Sequence, residues 1–491
     1  MSGTGWGGLC AILFILSDIT EGTACVLGVW VREKGFYRSF FSMTGVIALQ
    51  NLILFSVNLA DNVMLGRYSD EAMSGVALVN QIQFLLQMMV TGVGEAVVVL
   101  ATQYWGKHQV KTIRKIIGIG LWLGVGVATL LFAVVGIWPE FCLGLLTDDQ
   151  PVIDEGVRYL RIICFSYPLF AVTNVLLCSL RSVETVKIGF AVSLSTLLIN
   201  VFLNYLLIYG KGGAPRLGAQ GAAIATLAAR AVECLIMILF TAFADRKIRF
   251  RLTDLRGASG ALWKDYLRSG LPVFLSNTLW GFAMMVQTAI LGHMGMVTIG
   301  ANSIAVTVFQ VLTVITYGSA SAASVLIGKT IGEGNVARVR QYAKTLQVLF
   351  LLIGVVTGLA LFFCRDLVLL LYGDVSEEIR QLARQFMTVL SVTVCGTAYQ
   401  MAVLTGVVRG GGDTRFVMIN DLIFMWGLVL PLSLLAAYQW GWPPVAVFIC
   451  LKCDQVLKCL VAVVKVNRYR WIRVLTRPEP NDQAAAAVQE G

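Results

Sequence analysis

A single carboxylate stands inside the first long apolar run of the chain. Residues 40–66 hold roughly 20 mostly apolar residues, enough to cross a hydrocarbon core about 30 Å thick. Asp61 lies near the far end of this run. A charged side chain at membrane depth costs about 2.5–3.5 kcal/mol, so it is usually retained for a function. We expect Asp61 to take up a proton or a sodium ion; the alternative is a helix-end carboxylate in contact with water.

The composition excludes an ordinary soluble protein. Of the 491 residues, 57% are hydrophobic and only 13% are charged, and the mean hydropathy is +0.77. The net charge of +10 arises from basic residues in short loops between apolar runs, a pattern typical of membrane proteins rather than of nucleic-acid binding. The 11 cysteines lie mostly in apolar segments, which argues against a disulfide framework or a metal site.

Twelve apolar segments can be counted along the chain. We predict that all of them are helices, because an open sheet cannot satisfy its backbone hydrogen bonds in lipid. The sequence therefore indicates an all-α polytopic membrane protein with twelve transmembrane helices. The predicted spans are 40–66, 76–100, 114–138, 158–180, 186–209, 218–244, 271–292, 297–328, 342–364, 380–408, 415–438 and 444–466.

The loops predict how the chain is oriented. Lysine and arginine are concentrated in the loops that follow even-numbered spans, most of all in the linker 245–270. Because cytoplasmic loops carry an excess of these residues, we expect both termini to face the cytoplasm in the plasma membrane. Residues 1–38 contain no full span and form an amino-terminal extension. Residues 467–491 form a cytoplasmic tail.

The chain repeats itself. The sequence DNVMLG at 61–66 recurs as QTAILG at 287–292, and the run that starts at Arg181 aligns with the run that starts at Arg409. The repeat predicts two six-helix lobes, 39–244 and 271–466. Since six is an even number, both lobes run in the same direction. Such parallel repeats are typical of transporters.

Four short motifs carry a resemblance to a known family. They are ADNVMLG at 60–66, ATQYWG at 101–106, LGAQGAAIAT at 217–226 and RGGGDT at 409–414. Together they make the chain resemble the multidrug and toxic compound extrusion (MATE) family of secondary transporters over about 39–475. The resemblance implies two rocking lobes that export drugs in exchange for protons or sodium.

The resemblance also implies where the coupling ion binds. The cation site of the family resembles Asp61, Asn200, Asn204 and Thr226. Many members have an aspartate where this chain has Asn204, so a single carboxylate remains and a proton is favoured over sodium. Further candidates for the cavity or the substrate site are polar, aromatic or methionine side chains in the spans, which suit amphipathic cations. They are Glu95, Asn277, Trp280, Met284, Gln287, Tyr399 and Gln400.

Two other classes of membrane protein are alternatives to a transporter of this kind. A flippase of a lipid-linked intermediate has a similar two-lobe build, but it would need several cations inside its cavity. An enzyme would need a cluster of acids, bases or metal ligands, and the only histidines are His108 and His293, both near loops. We expect the protein to use no cofactor and to bind no nucleic acid. Its partners are expected to be the lipid bilayer and small-molecule substrates, and it is expected to be a monomer.

Some charged residues within the spans have close partners along their own helices. Arg230 lies three residues from Glu233, and Asp454 lies four residues from Lys458, spacings that predict structural ion pairs. Asp421 is expected to cap the eleventh helix or to pair with Arg415.

Overall fold

The computed structural model describes residues 30–213, 215–255, 257–371 and 376–477. Over these residues the chain is helical, with no strand. The first helix begins at Lys34, inside the predicted extension 1–38, and residues 1–29 lie outside the described part. Residues just before the helix are held in place, because the Val31 amide donates to Thr345 Oγ1 (3.2 Å) and Glu33 pairs with Arg338 (3.3 Å).

Within the described residues, the amino-terminal half contains eight α-helices. The last of them continues through one π-helical turn, Phe240–Ala244. The helices are α1 (Lys34–Gly66), α2 (Asp70–Gly106), α3 (Val110–Ile137), α4 (Pro139–Gly144), α5 (Gln150–Ile163), α6 (Ser166–Ser182), α7 (Lys187–Tyr209) and α8 (Ala219–Leu239).

The carboxy-terminal half contains a further eight α-helices within the described residues. Several are joined or extended by π-helical turns at Ala402–Val408, Leu422–Val429 and Leu435–Gln439, and a 3₁₀ turn, Leu252–Leu255, precedes the first of them. The helices are α9 (Gly260–His293), α10 (Met296–Gly332), α11 (Val336–Leu371), α12 (Glu377–Met401), α13 (Thr414–Asp421), α14 (Leu430–Leu434), α15 (Pro444–Lys452) and α16 (Asp454–Asn467).

The fold class predicted from the sequence is confirmed. In the described part of the chain, ten helices are long and apolar enough to cross a membrane, and the bent pair α5–α6 supplies an eleventh span. The remaining predicted span, 444–466, consists of α15 and α16 separated by Cys453. The predicted span 158–180 runs across the 55° bend between α5 and α6. Residues 260–270 of the predicted linker belong to α9.

The two halves meet along α1, α2, α9 and α10. Helix α2 packs along α9, and α10 packs along α1. Small residues allow the close approach: a Cβ added to Gly318 of α10 would lie only 2.6 Å from the carbonyl oxygen of Thr44. The start of α1 packs against the other half, where the Phe36 ring lies 4.4 Å from the Tyr342 ring. Helix α1 therefore contacts both lobes, and its far end carries Asp61.

Candidate functional site

Asp61 is enclosed by three helices of the amino-terminal lobe. Its side chain is on α1 and is 7% exposed, while Asn200 and Asn204 on α7 are fully buried. The two asparagines are four residues apart, so they share one face of α7. That face is directed at α1 and α8 because α7 packs between them.

The four residues predicted to form the cation site come together. Asn204 donates from Nδ2 to Asp61 Oδ1 and to Asn200 Oδ1, the second bond being 3.1 Å long. Asn200 in turn donates from Nδ2 to Thr226 Oγ1 at 3.0 Å. The result is a chain of neutral side chains that ends on one carboxylate.

Asp61 has no cationic partner in the described part of the chain. Arg230 is close enough to interact with Asp61 electrostatically, but it is paired with Glu233 at 2.8 Å, as its spacing predicted. Beside the carboxylate, the buried Asn204 Oδ1 has no hydrogen-bond donor. A carboxylate and an unpaired amide oxygen together suit a small cation, because both are oxygen acceptors. The described residues include no group of three or more histidine, cysteine or acidic side chains that could hold a metal ion.

Gln287, which takes the place of Asp61 in the repeat, has a different environment. Its Oε1 lies 3.4 Å from Lys452 Nζ, and its Nε2 lies 3.3 Å from Met425 Sδ. The Lys452 ammonium also lies 5.7 Å from the centre of the Phe448 ring. In the carboxy-terminal lobe, an amide next to a fixed ammonium therefore replaces the carboxylate.

A buried ion cluster lies elsewhere in the carboxy-terminal lobe. Lys458 Nζ is 3.1 Å from Asp421 and 3.3 Å from Asp454, which confirms the predicted Asp454–Lys458 pair. The expectation for Asp421 was wrong: it pairs with Lys458 and accepts a hydrogen bond from Ser276 (2.8 Å) rather than pairing with Arg415. Local spacing could not reveal this cluster, because its members lie on three helices, α9, α13 and α16.

Glu95 lies between the lobes. One oxygen is 3.2 Å from Arg181 of its own lobe, and the other is 3.9 Å from Arg409 of the opposite lobe. Arg181 also donates to Ser321 across the interface at 3.4 Å. Both arginines start the repeated runs noted in the sequence. Glu95 is thus part of an interlobe ion cluster.

The remaining cavity candidates are dispersed over the carboxy-terminal half. Asn277 donates to the backbone of its own helix, at Val273, and Met284 is only partly buried. The Trp280 ring lies 6.1 Å from the Phe84 ring of the opposite lobe and lines a small cavity beside Asp421.

Two of these candidates lie in a side-chain network of the same half. Tyr399 donates to Gln347 (2.8 Å), and Gln400 donates to Gln455 (2.9 Å). Gln455 in turn donates to Asp454 at 2.9 Å. Gln400 therefore supports the buried ion cluster through Gln455.

Comparison with known families agrees with the two-lobe architecture. The model of the MatE family matches residues 47–206 and 272–435, one segment in each half. This chain belongs to the MatE family. The double match also supports the internal repeat, because the same family pattern occurs twice.

Relatives named as multidrug resistance proteins align with most of the chain. It is 25% identical to a probable multidrug resistance protein NorM of Listeria monocytogenes, over 81% of this chain and 87% of that one. It is 27% identical to the multidrug resistance protein MdtK of Pectobacterium atrosepticum, over 78% and 83%.

Solved MATE structures share the fold. The Vibrio cholerae MATE transporter VcmN, solved as a point mutant, matches with a TM-score of 0.80 at 17% identity, over 90% of this chain and 98% of that one. The eukaryotic MATE transporter AtDTX14 matches with a TM-score of 0.80 at 19% identity over the same shares. The chain therefore adopts the two-lobe MATE fold along nearly its whole described length.

Proposed function

We propose that this chain is a cation-coupled antiporter that exports amphipathic, mostly cationic drugs or toxic metabolites. Its membership of the MatE family and the names of its multidrug resistance relatives support the transport of drugs. We propose no catalytic role for any residue and no cofactor. The coupling ion is a proton or sodium.

The observation that carries the proposal is the environment of Asp61. Its partner is the neutral amide of Asn204, and a second acceptor oxygen beside it has no donor. A buried carboxylate without a fixed counter-ion is costly unless a cation joins it or a proton neutralises it. Asp61 therefore exchanges a mobile cation. We favour a proton, because one carboxylate accepts one proton.

Transport follows from alternating access of the two lobes. The ends of α2 and α10 touch, since a Cβ added to Gly106 would lie 2.9 Å from Gly332 Cα. The end of the molecule that carries the cation-rich loops is therefore closed. A cation bound at Asp61 from outside and released inside can drive the reverse movement of a substrate. Such coupling requires the ion to bind the two states with different affinity.

The proposed orientation rests on where the basic loops meet. Lys329 at the end of α10 pairs with Glu184 of the α6–α7 loop at 3.0 Å, and Lys247 of the linker donates to the Val183 carbonyl. The loops predicted to be cytoplasmic thus gather at one end of the molecule. We propose that this end and both termini face the cytoplasm, in the plasma membrane, and that the protein acts as a monomer.

The interlobe ion cluster favours an antiporter over a flippase of lipid-linked intermediates. A flippase requires free cationic side chains in its cavity to receive an anionic headgroup. Here both interlobe arginines, Arg181 and Arg409, share the carboxylate of Glu95. Partly buried aromatic and sulfur side chains near the interface, Trp280 and Met284, suit organic cations better.

The proposal can be tested by transport in proteoliposomes. Ethidium efflux is driven by an imposed proton gradient or, separately, by an imposed sodium gradient. Asp61→Asn keeps the shape of the side chain and is expected to reduce efflux to that of protein-free vesicles. The matched control Asp454→Asn also removes a buried charge, but it leaves Lys458 paired with Asp421, and it is expected to pump. Wild-type efflux by Asp61→Asn would contradict the proposal.

A further inference from the structure

The segment after the last helix is firmly attached to both lobes. Residues 469–477, called the carboxy-terminal strap here, leave α16 and run across the closed end of the molecule. The strap begins in the carboxy-terminal lobe, where the fully buried Trp471 donates to the Val466 carbonyl at 2.8 Å. Its ring covers Gly411 so closely that no side chain would fit at that glycine.

A second anchor also fixes the strap to the carboxy-terminal lobe. The Arg473 amide donates to the Gly411 carbonyl at 2.9 Å. The Arg473 guanidinium lies 3.0 Å from Asp413, a buried carboxylate that also pairs with Lys465 at 2.8 Å. The Arg473 side chain is 51% exposed, so its ion pair contributes little, and the fully buried Trp471 is the main anchor of the strap on the carboxy-terminal lobe.

The strap then crosses to the amino-terminal lobe. Gln103, on the last turns of α2, donates from Nε2 to the Arg473 carbonyl (3.0 Å) and accepts from the Leu475 amide at Oε1 (2.8 Å). The Arg477 amide donates to the Tyr104 hydroxyl at 3.2 Å. Leu475 packs against the hydrophobic core of the amino-terminal lobe. These contacts are neutral hydrogen bonds and one half-buried side chain.

The strap ends on helix α9. Arg477 makes a bidentate ion pair with Asp265, with Nη2 3.0 Å from Oδ1, and also donates to the Ala261 carbonyl at 3.2 Å. Its side chain is 52% exposed, so the pair contributes less than a buried one. The start of α9 packs in the hydrophobic core of the amino-terminal lobe, because Leu262 and Tyr266 belong to that core. The strap therefore ties this end of the amino-terminal lobe to the carboxy-terminal lobe.

We propose that the strap is a latch on the cytoplasmic gate, and that it detaches from Gln103 whenever the chain opens to the cytoplasm. The inference rests on the proposed alternating access. Opening separates the end of α2 from α10, while the buried Trp471 and the backbone hydrogen bond to Gly411 keep the strap on the carboxy-terminal lobe. The weaker contacts to Gln103, Tyr104 and Asp265 are the ones that break. Their strength therefore sets how often the inward-open state is visited.

The latch can be tested by cysteine labelling without transport. Ser321 lies inside the interlobe ion cluster, so a cysteine placed there in a cysteine-free background is reached from the cytoplasm only when the gate opens. Inside-out vesicles are treated with a membrane-impermeant maleimide. Gln103→Leu removes two hydrogen bonds and is expected to speed labelling roughly tenfold. Arg477→Gln is expected to speed it several-fold.

Arg470→Gln is the matched control, because it removes the same charge from the same segment. Arg470 is exposed and has no polar partner within the described residues, and its labelling rate is expected to equal that of the parent. The latch is refuted if the cysteine in Arg477→Gln is labelled at the same rate as in Arg470→Gln. This comparison does not depend on whether Gln103→Leu folds. No gradient or substrate is used, so failure of coupling at Asp61 leaves the result unaffected.

Discussion

Asp61 in the amino-terminal lobe and Asp421 in the carboxy-terminal lobe are both carboxylates within membrane helices, yet their partners differ. Asp61 is held by the amide of Asn204 and has no lysine or arginine beside it in the described part of the chain. Asp421 is held by the Lys458 ammonium and the Ser276 hydroxyl. A carboxylate with its own cation needs no further ion, whereas one held by an amide does. Under the proposed function, the contrast points to the amino-terminal lobe as the one that exchanges an ion.

The repeat makes the same contrast at equivalent positions. Gln287 occupies the place of Asp61 and faces Lys452 rather than another acceptor. The two lobes thus share a scaffold, but the residue at this position is charged in one lobe and neutral in the other. We therefore expect coupling to be carried by the amino-terminal lobe alone.

The largest expected difference between the lobes is in stability. Lys458→Met leaves Asp421 and Asp454 without their shared cation, and breaking such a buried pair costs about 3–5 kcal/mol of unfolding free energy. Asp61→Asn removes a charge that has no fixed partner, so the unfolding free energy of this variant is expected to equal or exceed that of the wild type. Thermal unfolding in detergent measures both. Equal destabilisation by the two variants would remove the distinction between the lobes.

A smaller effect is expected from adding one carboxylate to each lobe. Asn204→Asp places a second carboxylate beside Asp61 and is expected to lower the half-saturating sodium concentration of efflux by about tenfold. Gln287→Glu is the matched change in the other lobe, and its new charge pairs with Lys452 instead. Sodium dependence measured in proteoliposomes is therefore expected to stay at the wild-type level for Gln287→Glu. An equal gain in both variants would show that the lobes are equivalent.

The smallest effects are expected from single amides. Asn200→Ala and Gln400→Ala each remove hydrogen bonds from a buried network and are expected to cost about 1 kcal/mol of stability. Only Asn200 belongs to the proposed ion site, so only its loss is expected to weaken the response of efflux to the driving ion, by several-fold. Efflux measured at a series of imposed ion gradients distinguishes the two variants. A weakened response in Gln400→Ala alone would reverse the assignment.

Hydropathy and the repeat were enough to predict most of the fold. In lipid the backbone must satisfy its hydrogen bonds internally, so each apolar run is expected to form a helix. The bend after Ile163 and the break at Cys453 were not predicted, because hydropathy reports how apolar a segment is and not whether its helix is bent or broken. The start of α1 at Lys34 was missed, because its first turns include Lys34 and Arg38 and are held by aromatic contacts with α11, such as that between Phe36 and Tyr342.

The candidate site was predictable only where the residues are close in sequence or match the family motifs. The site of Asp61, Asn200, Asn204 and Thr226 came from the family resemblance, and the Arg230–Glu233 pair came from helix spacing. The Asp421–Lys458 pair was missed, since its two members lie on different helices. The strap was missed because its polar sequence gives no sign that Trp471 is buried.

The most direct test of the account is to count the ions that the substrate displaces. Purified protein in weakly buffered detergent is mixed with tetraphenylphosphonium, and released protons are followed with a pH indicator. The account predicts about one proton per bound cation for the wild type, because substrate and proton bind different states. It predicts the same for Asp454→Asn and none for Asp61→Asn. Undiminished proton release from Asp61→Asn would contradict the claim that Asp61 is the exchanging group.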